Sequence, residues 1–292
     1  MPADAHALSV AAGGVTLSGE RSGATAAGAT GPVDGVNPVV LLHGLTATRR
    51  YVVMGSQALQ RAGHTVIAYD ARGHGHSTPA PGRRYGYEHL ADDLLAVLDA
   101  AGIERALLAG ASMGAHTAIR FALEHPERVG ALAIITPAYD PSSERGEELA
   151  RWDALARGLR EDGVEGFVRA YDLATVPQAW RETVETVLRQ RLEAHEYPHA
   201  VADALEVVPR SKPFQELAQL AYIAAPTLVV ASRDEADPGH PLAVGEAYAH
   251  AIPGARLAVE DAGPPARSPI AWQGGQLSKL LIELAEHASR ST

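Results

Sequence analysis

A serine flanked by glycines is the residue of this sequence best suited to do chemistry. Ser112 is the centre of the pentapeptide Gly-Ala-Ser-Met-Gly at residues 110–114, which follows a short apolar run and precedes a helical pattern. A serine on such a sharp strand-to-helix turn, a nucleophile elbow, needs small residues two positions away, because a Cβ there would collide with the strand or the helix. The turn lifts the hydroxyl clear of the sheet, at the positive end of the helix dipole. We therefore expect Ser112 to act as a nucleophile.

Composition restricts what else the chain can do. It has 292 residues, 46% of them apolar, a net charge of −10 and no cysteine. The negative charge argues against nucleic acid as a partner, and the lack of cysteine excludes disulfides, a thiol nucleophile and Cys-ligated metals. No apolar run approaches the roughly 20 residues that span a bilayer, and the first ten residues lack the features of a signal peptide. We expect a cytoplasmic protein with a small-molecule substrate and no membrane partner; the oligomeric state is left open.

The elements that must position Ser112 follow from the alternation of short apolar runs with helical patterns. This alternation predicts an α/β fold with a doubly wound, mostly parallel sheet, preceded by a β-hairpin within residues 6–21. The predicted strands of the sheet cover residues 38–42, 65–69, 106–109, 131–135, 227–231 and 256–259. The predicted helices between them cover residues 55–62, 87–101, 115–125 and 241–251.

The alternation stops between residues 138 and 222, where only helical patterns occur. We expect an all-helical lid at 138–222 over the crevice at the carboxyl ends of the strands, with a core made of residues 1–137 and 223–292. Within the lid, Trp152 and Tyr171 are candidates to line a substrate pocket, with packing inside the lid as the alternative. The predicted lid helices cover residues 144–161, 164–174, 178–192 and 200–207.

From about residue 38 to its C-terminus the chain resembles the α/β-hydrolase family. His43 and Gly44 follow the first buried strand, as the oxyanion loop of that family does. Residues 69–77 resemble the D-x-R-G-x-G-x-S turn of its lid-bearing members, and the elbow at Ser112 comes next. The resemblance implies the α/β-hydrolase fold with a helical lid, a hydrolytic reaction, and neither metal nor cofactor.

The resemblance also implies an oxyanion hole and an acid. The hole would consist of the backbone N–H groups of Leu45 and Met113. His43 is a candidate to contact the substrate or to act as a base, and in this family it more often supports the oxyanion loop by hydrogen bonds. For the acid, Asp237 matches the acid-Pro step of the family, and Asp234 is the rival because its distance from the preceding strand fits better.

The expected catalytic histidine is missing. Its usual place, in the loop after the last strand, holds Pro264, and no histidine occurs between His250 and His287. A serine hydroxyl is a poor nucleophile without a base. His240, three residues after Asp237, is the leading substitute, with a structural histidine at the start of a helix as the alternative.

Three interpretations of the missing histidine remain at this stage. In the first, His240 completes a serine hydrolase that acts on a small, fairly apolar ester, lactone or thioester. In the second, the fold carries out a cyclase, lyase or isomerase step that needs no Ser-His pair. In the third, the chain is a catalytically inactive protein that binds a small molecule. Trp272, where the usual histidine loop leads into the last helix, is a candidate pocket residue or a core residue. We predict the first interpretation.

Overall fold

The computed structural model describes residues 5–23, 38–233, 237, 239–260 and 272–290. Within these residues a single eight-stranded sheet has the order β1-β2-β4-β3-β5-β6-β7-β8. β1 and β2 form an antiparallel hairpin, β2 pairs antiparallel with β4, and the other neighbours pair in parallel. The predicted mostly parallel sheet is therefore confirmed. The strands are β1 (His6–Ala12), β2 (Val15–Ser22), β3 (Val39–Leu42), β4 (Val66–Tyr69), β5 (Ala106–Ala111), β6 (Val129–Ile135), β7 (Thr227–Ala231) and β8 (Arg256–Val259).

Both faces of the sheet are buried, which explains why its central strands are apolar at every position. On β3, Val40 and Leu42 point into one apolar cluster, whereas Val39 and Leu41 point into the other. Helices α2, α3 and α7 cover the first face, and α1 and α8 cover the second. The helices of the core are α1 (Ala58–Arg61), α2 (Tyr87–Ala100), α3 (Met113–Glu124), α7 (Leu242–Ala251) and α8 (Gly274–Arg290).

Between β6 and β7 the chain forms a helical insertion, which we define as residues 136–226; all of them are described, and none lies in a strand. It contains α4 (Gly146–Ala170), α5 (Arg181–Glu193) and α6 (Pro198–Val207). These helices share an apolar cluster of their own that includes Leu159, Phe167 and Leu205. The insertion thus has its own small core.

Three of the predicted helices differ in extent from the observed ones. The pattern at 55–62 forms only the four-residue α1. The two helices predicted at 144–161 and 164–174 are a single segment, α4, with a kink where Asp162 and Gly163 leave helical geometry and Gly163 has φ +57°. Glycine adopts that geometry at little cost, so the break was placed correctly while the continuation was missed. Among the described residues, none of the helices is both long and apolar enough to cross a membrane.

Candidate active site

Ser112 lies on a strained turn between β5 and α3. Its backbone has φ +50° and ψ −112°, a conformation that residues other than glycine rarely adopt and that costs about 1–3 kcal/mol. A Cβ built on Gly110 would overlap the carbonyl of Gly114, and one built on Gly114 would overlap the carbonyl of Leu42. The two glycines therefore let β3, β5 and α3 pack closely enough to hold the serine in this conformation.

His240 connects Ser112 to Asp237. Its Nε2 lies 2.9 Å from the Ser112 hydroxyl oxygen, and its Nδ1 lies 2.9 Å from each carboxylate oxygen of Asp237. Because a carboxylate only accepts hydrogen bonds, Nδ1 carries the ring proton and Nε2 is left to accept the serine proton. The structure therefore brings the predicted nucleophile, base and acid into one hydrogen-bonded chain.

The loop after β7 positions both Asp237 and His240. The backbone N–H of Asp237 donates to the carbonyl of Arg233, and that of His240 donates to the carbonyl of Asp237. About a quarter of the His240 side chain and a third of the Asp237 side chain are exposed. The contact with His240 supports Asp237 as the candidate acid. The rival Asp234, and Pro264, lie outside the described residues.

The predicted oxyanion loop, residues 43–46, lies directly beside the elbow. A Cβ built on Gly44 would be 3.4 Å from the Ser112 Cβ and from the Ala111 carbonyl oxygen. Leu45 follows Gly44, and Met113 is the first residue of α3, where a helix offers no acceptor for the N–H. In the described part of the chain, no backbone carbonyl outside the helices and strands accepts from either N–H. Both groups are thus available as donors next to Ser112.

His43 supports this loop from behind. Its Nδ1 donates to the carbonyl of Gly44 at 2.8 Å, and its Nε2 accepts from the N–H of Ala71 at 2.9 Å. The side chain is buried, and burial lowers its pKa. With both ring nitrogens bonded to the backbone, His43 has no nitrogen left for a substrate or for proton transfer. The geometry does not favour the expected substrate contact at His43 and matches the structural alternative.

The turn after β4 anchors the oxyanion loop as well. The buried Asp70 carboxylate accepts from the N–H of Arg49 at 2.8 Å and pairs with its guanidinium. On the same turn, the buried Arg72 donates two hydrogen bonds of 2.7 Å to Asp93. Such charge-assisted pairs have fixed geometry. The first ties Arg49, which follows the oxyanion loop, to this turn, and the second ties the turn to α2.

The three tryptophan and tyrosine candidates occupy different places. Trp152 packs against the core of the helical insertion and donates to Glu148 at 3.2 Å. Trp272 donates to the carbonyl of Ala231 at 3.0 Å and packs under the sheet with α8, which matches its alternative as a core residue. Burial raises the pKa of Tyr171; the positive charge of Arg191 opposes this rise, and the negative charge of Asp237 adds to it. Tyr171 itself packs against the core of the helical insertion and stacks on Phe167.

His116 is turned away from the serine. Its Nε2 accepts from the N–H groups of Ala138 and Tyr139 at 3.3 and 3.2 Å, and its Nδ1 lies 3.2 Å from the Tyr87 hydroxyl. Burial, helped by the nearby His240, lowers its pKa to about 3. It fixes the start of the helical insertion.

Sequence reasoning missed two residues of the helical insertion, Arg191 and His195, that contact the oxyanion loop. Arg191 donates to the carbonyl of Leu45, and His195 donates to that of Thr46. A signal was present: Arg191 lies on α5 three residues after the buried Leu188, and His195, just past the end of the helix, lies three residues after the buried Leu192. A cation or histidine at a core-facing position is uncommon without a specific partner.

The described residues hold no group of three or more metal-binding side chains. A groove of about 1170 Å³ opens elsewhere, between the helical insertion and α2, and is lined by charged residues such as Arg83, Arg157 and Glu206. None of the three residues of the hydrogen-bonded chain lines it. We therefore locate the candidate site at Ser112, from the geometry of its side chains.

Comparison with known proteins agrees with this architecture. A putative carbamate hydrolase RutD from Variovorax paradoxus is 31% identical over 207 residues, 70% of this chain and 76% of that protein. A 2-hydroxy-6-oxononadienedioate/2-hydroxy-6-oxononatrienedioate hydrolase 2 from Pseudomonas putida is 31% identical over 211 residues, 69% and 72% of the two chains. The structure of the enol-lactonase from Burkholderia xenovorans LB400 shares the fold, with a TM-score of 0.70, 22% identity, and 95% and 99% of the chains covered. A family model described as alpha/beta hydrolase fold matches residues 37–266, so this chain belongs to the α/β-hydrolase family.

Proposed function

We propose that the protein is a serine hydrolase that cleaves a small, fairly apolar carboxylic ester, lactone or thioester. The observation that carries the proposal is the hydrogen-bonded chain from Ser112 through His240 to Asp237. Relatives named as hydrolases, among them the carbamate hydrolase, support an acyl carbonyl as the reacting group. The base comes from the loop after β7: His240 supplies the imidazole that is missing at Pro264, the usual position of the catalytic histidine.

In the acylation step His240 Nε2 takes the proton of the Ser112 hydroxyl as the serine oxygen attacks the carbonyl carbon. The carbonyl oxygen becomes an oxyanion, which the N–H groups of Leu45 and Met113 stabilise; one such donor is worth about 10²- to 10³-fold in rate. The tetrahedral intermediate then collapses, and His240 gives its proton to the departing alcohol or thiol. Asp237 holds the Nδ1 proton and stabilises the imidazolium that forms.

In the deacylation step water attacks the acyl-enzyme, and His240 acts as base again. The proton of the water passes to Nε2 and then to Ser112, which leaves with the bond to the acyl carbon broken. The products are a carboxylic acid and the free serine, so the cycle balances without a further reactant. The helical insertion, which contacts the oxyanion loop, would act as a lid that shields these steps from bulk water.

Substrate preference follows from the residues next to the oxyanion loop. Leu45 packs against the apolar cluster of the helical insertion, and Tyr171 stacks on Phe167 with ring centroids 6.5 Å apart. Apolar side chains at this position favour apolar acyl groups over charged ones.

The experiment is active-site labelling followed by mass spectrometry. We expect a fluorophosphonate to add once to the wild-type protein, at Ser112, and p-nitrophenyl acetate to be turned over. Both should vanish in Ser112→Ala, with the far-UV circular dichroism spectrum unchanged. A cyclase, lyase or isomerase, or an inactive binding protein, would show no labelling of Ser112 and would contradict the proposal.

A further inference from the structure

The end of α5 and the residues just after it hold the oxyanion loop. Arg191 donates from Nη2 to the carbonyl of Leu45 at 3.1 Å and to the Thr46 hydroxyl at 2.9 Å. His195 donates from Nε2 to the carbonyl of Thr46 at 2.9 Å. Gly44, the preceding residue, has its carbonyl bonded to His43 and to the N–H of Ala47. Three consecutive carbonyls of the loop are thus held, two of them by the helical insertion.

The loop needs such support because the backbone conformation of Thr46 is unfavourable. Thr46 has φ +66°, which costs a residue with a branched Cβ about 1–3 kcal/mol unless the surroundings hold it. Rotation of the peptide between Leu45 and Thr46 would turn the neighbouring peptide, which carries the Leu45 N–H. The bonds to Arg191 and His195 oppose that rotation.

The contacts with the oxyanion loop are the main polar contacts of Arg191. Among the described residues no carboxylate forms an ion pair with it, its Nε is shielded from solvent without a partner, and its guanidinium lies 5.5 Å from the centre of the Tyr51 ring. Burial lowers its pKa. Burying part of a cation without a counter-charge is costly, so the Leu45 carbonyl, the Thr46 hydroxyl and the Tyr51 ring are the contacts that offset the cost.

His195 ties the same loop to the turn after β4. Its Nδ1 accepts from the N–H of Gly75 at 2.8 Å, and the N–H of Glu196 donates to the carbonyl of Gly75 at 2.9 Å. Accepting at Nδ1 and donating at Nε2 requires the neutral ring with its proton on Nε2. One side chain therefore connects the helical insertion, the turn at Gly75 and the oxyanion loop.

We propose that Arg191 and His195 are positioning residues that set the Leu45 N–H of the oxyanion hole, so that the hole is complete only while the helical insertion is docked on the core. The inference rests on the proposed function for its kinetic part. It assigns the helical insertion a part in transition-state stabilisation in addition to covering the site.

The kinetic test compares Arg191→Met with Arg189→Met on p-nitrophenyl acetate. Arg189 lies on the same helix and forms ion pairs with Glu165 and Glu185 at its surface, so it is a matched control. We expect Arg191→Met to lower kcat by about 10- to 100-fold with KM within about twofold, since a donor that stabilises only the transition state changes kcat. Arg191→Lys should recover part of the loss, because a lysine restores charge but not the planar fork. Arg189→Met should retain wild-type kinetics.

The structural test uses hydrogen exchange and needs no activity. Peptides covering residues 44–48 should exchange faster in Arg191→Met and in His195→Phe, and at the wild-type rate in Arg189→Met. His195→Gln, which keeps a donor and an acceptor, should exchange more slowly than His195→Phe. Melting curves show whether each variant is folded.

Three results would overturn the inference, and they separate it from the proposed function. An unchanged kcat in folded Arg191→Met would show that the residue does not position the oxyanion donor. A rise in KM alone would mean that Arg191 contacts the substrate instead. An unchanged exchange rate at residues 44–48 would show that Arg191 and His195 do not restrain the oxyanion loop. A wild-type protein without Ser112-dependent labelling would refute the proposed function. The exchange rates would then test only whether Arg191 and His195 restrain residues 44–48.

Discussion

Replacing Gly114 by alanine tests whether the close fit of the elbow against β3 holds the reacting groups in place. A Cβ on Gly114 would lie 2.5 Å from the carbonyl carbon of Leu42 and 2.8 Å from its Cβ. Non-bonded carbons pack about 3.5–4.0 Å apart, so the start of α3 has to move about 1 Å away from β3.

That shift moves two groups of the proposed mechanism together, the Ser112 hydroxyl and the Met113 N–H. A displacement of about 1 Å in a preorganised site costs on the order of 10²-fold in rate. Overpacking of a dense core costs about 1–3 kcal/mol in the free energy of unfolding. We expect Gly114→Ala to show both losses, in kcat/KM for p-nitrophenyl acetate and in urea unfolding.

The matched control is Gly275→Ala. Gly275 is also near the start of a helix, α8, but a Cβ built on it meets nothing within 4 Å. We expect neither activity nor stability to fall in this variant. If Gly114→Ala kept wild-type kcat/KM and stability, the argument from close packing at the elbow would be wrong.

The remaining predictions concern the acid and the response to pH. Asp237→Asn should lower kcat by about 10³- to 10⁴-fold, because an amide no longer fixes the proton of His240 on Nδ1, whereas a loss of less than about tenfold would remove Asp237 from the mechanism. Stability should fall as pH drops from about 6.5 towards 4, since burial lowers the pKa of His195 to about 4 and that of His116 to about 3. Between those values and the unfolded pKa of about 6.5 the unfolded chain binds more protons, so the stabilisation is complete above pH 6.5 and is lost on acidification. Urea midpoints measured from pH 7.5 to 4.5 test this, and His116→Gln should reduce the slope; a flat profile would contradict the assignment.

Most of the fold could be predicted because local sequence patterns indicate where its strands and helices lie. Central strands buried on both faces appear as short apolar runs, and β3, β5 and β7 lie within a residue or two of their predicted positions. The kink at Gly163 was predicted as a break between two helices. The length of α1 was not, because four residues of helix held by tertiary contacts leave no clear period in the sequence.

The site was predictable in part. Ser112 was identified from its glycines, which must be small for reasons of packing that the structure displays at Gly110 and Gly114. Arg49 shows the limit, because its partner Asp70 lies 21 residues away and spacing gives no hint of that contact. His240 stayed one of two alternatives, because a loop's sequence does not say which way its side chains turn.

The residues of the helical insertion were the hardest to recognise. Arg189 and Arg191 are both arginines on α5 and differ only in the face of the helix on which they lie. That difference can be interpreted once Leu188 and Leu192 are known to face a core. The target of Arg191 is the carbonyl of Leu45, a backbone atom that no side-chain pattern reveals. Such contacts depend on how the insertion docks, which is a tertiary property.

The most direct test of the proposed base is the rate at which a fluorophosphonate labels Ser112 when His240 is removed. Intact-mass measurements over time give the second-order rate constant for the wild-type protein, for His240→Ala and for His250→Ala, an exposed histidine on α7. The hydrogen bond of 2.9 Å from Ser112 to His240 predicts a loss of at least about 10³-fold in His240→Ala and none in the control. Labelling of Ser112 in His240→Ala at the wild-type rate would show that another group activates the serine.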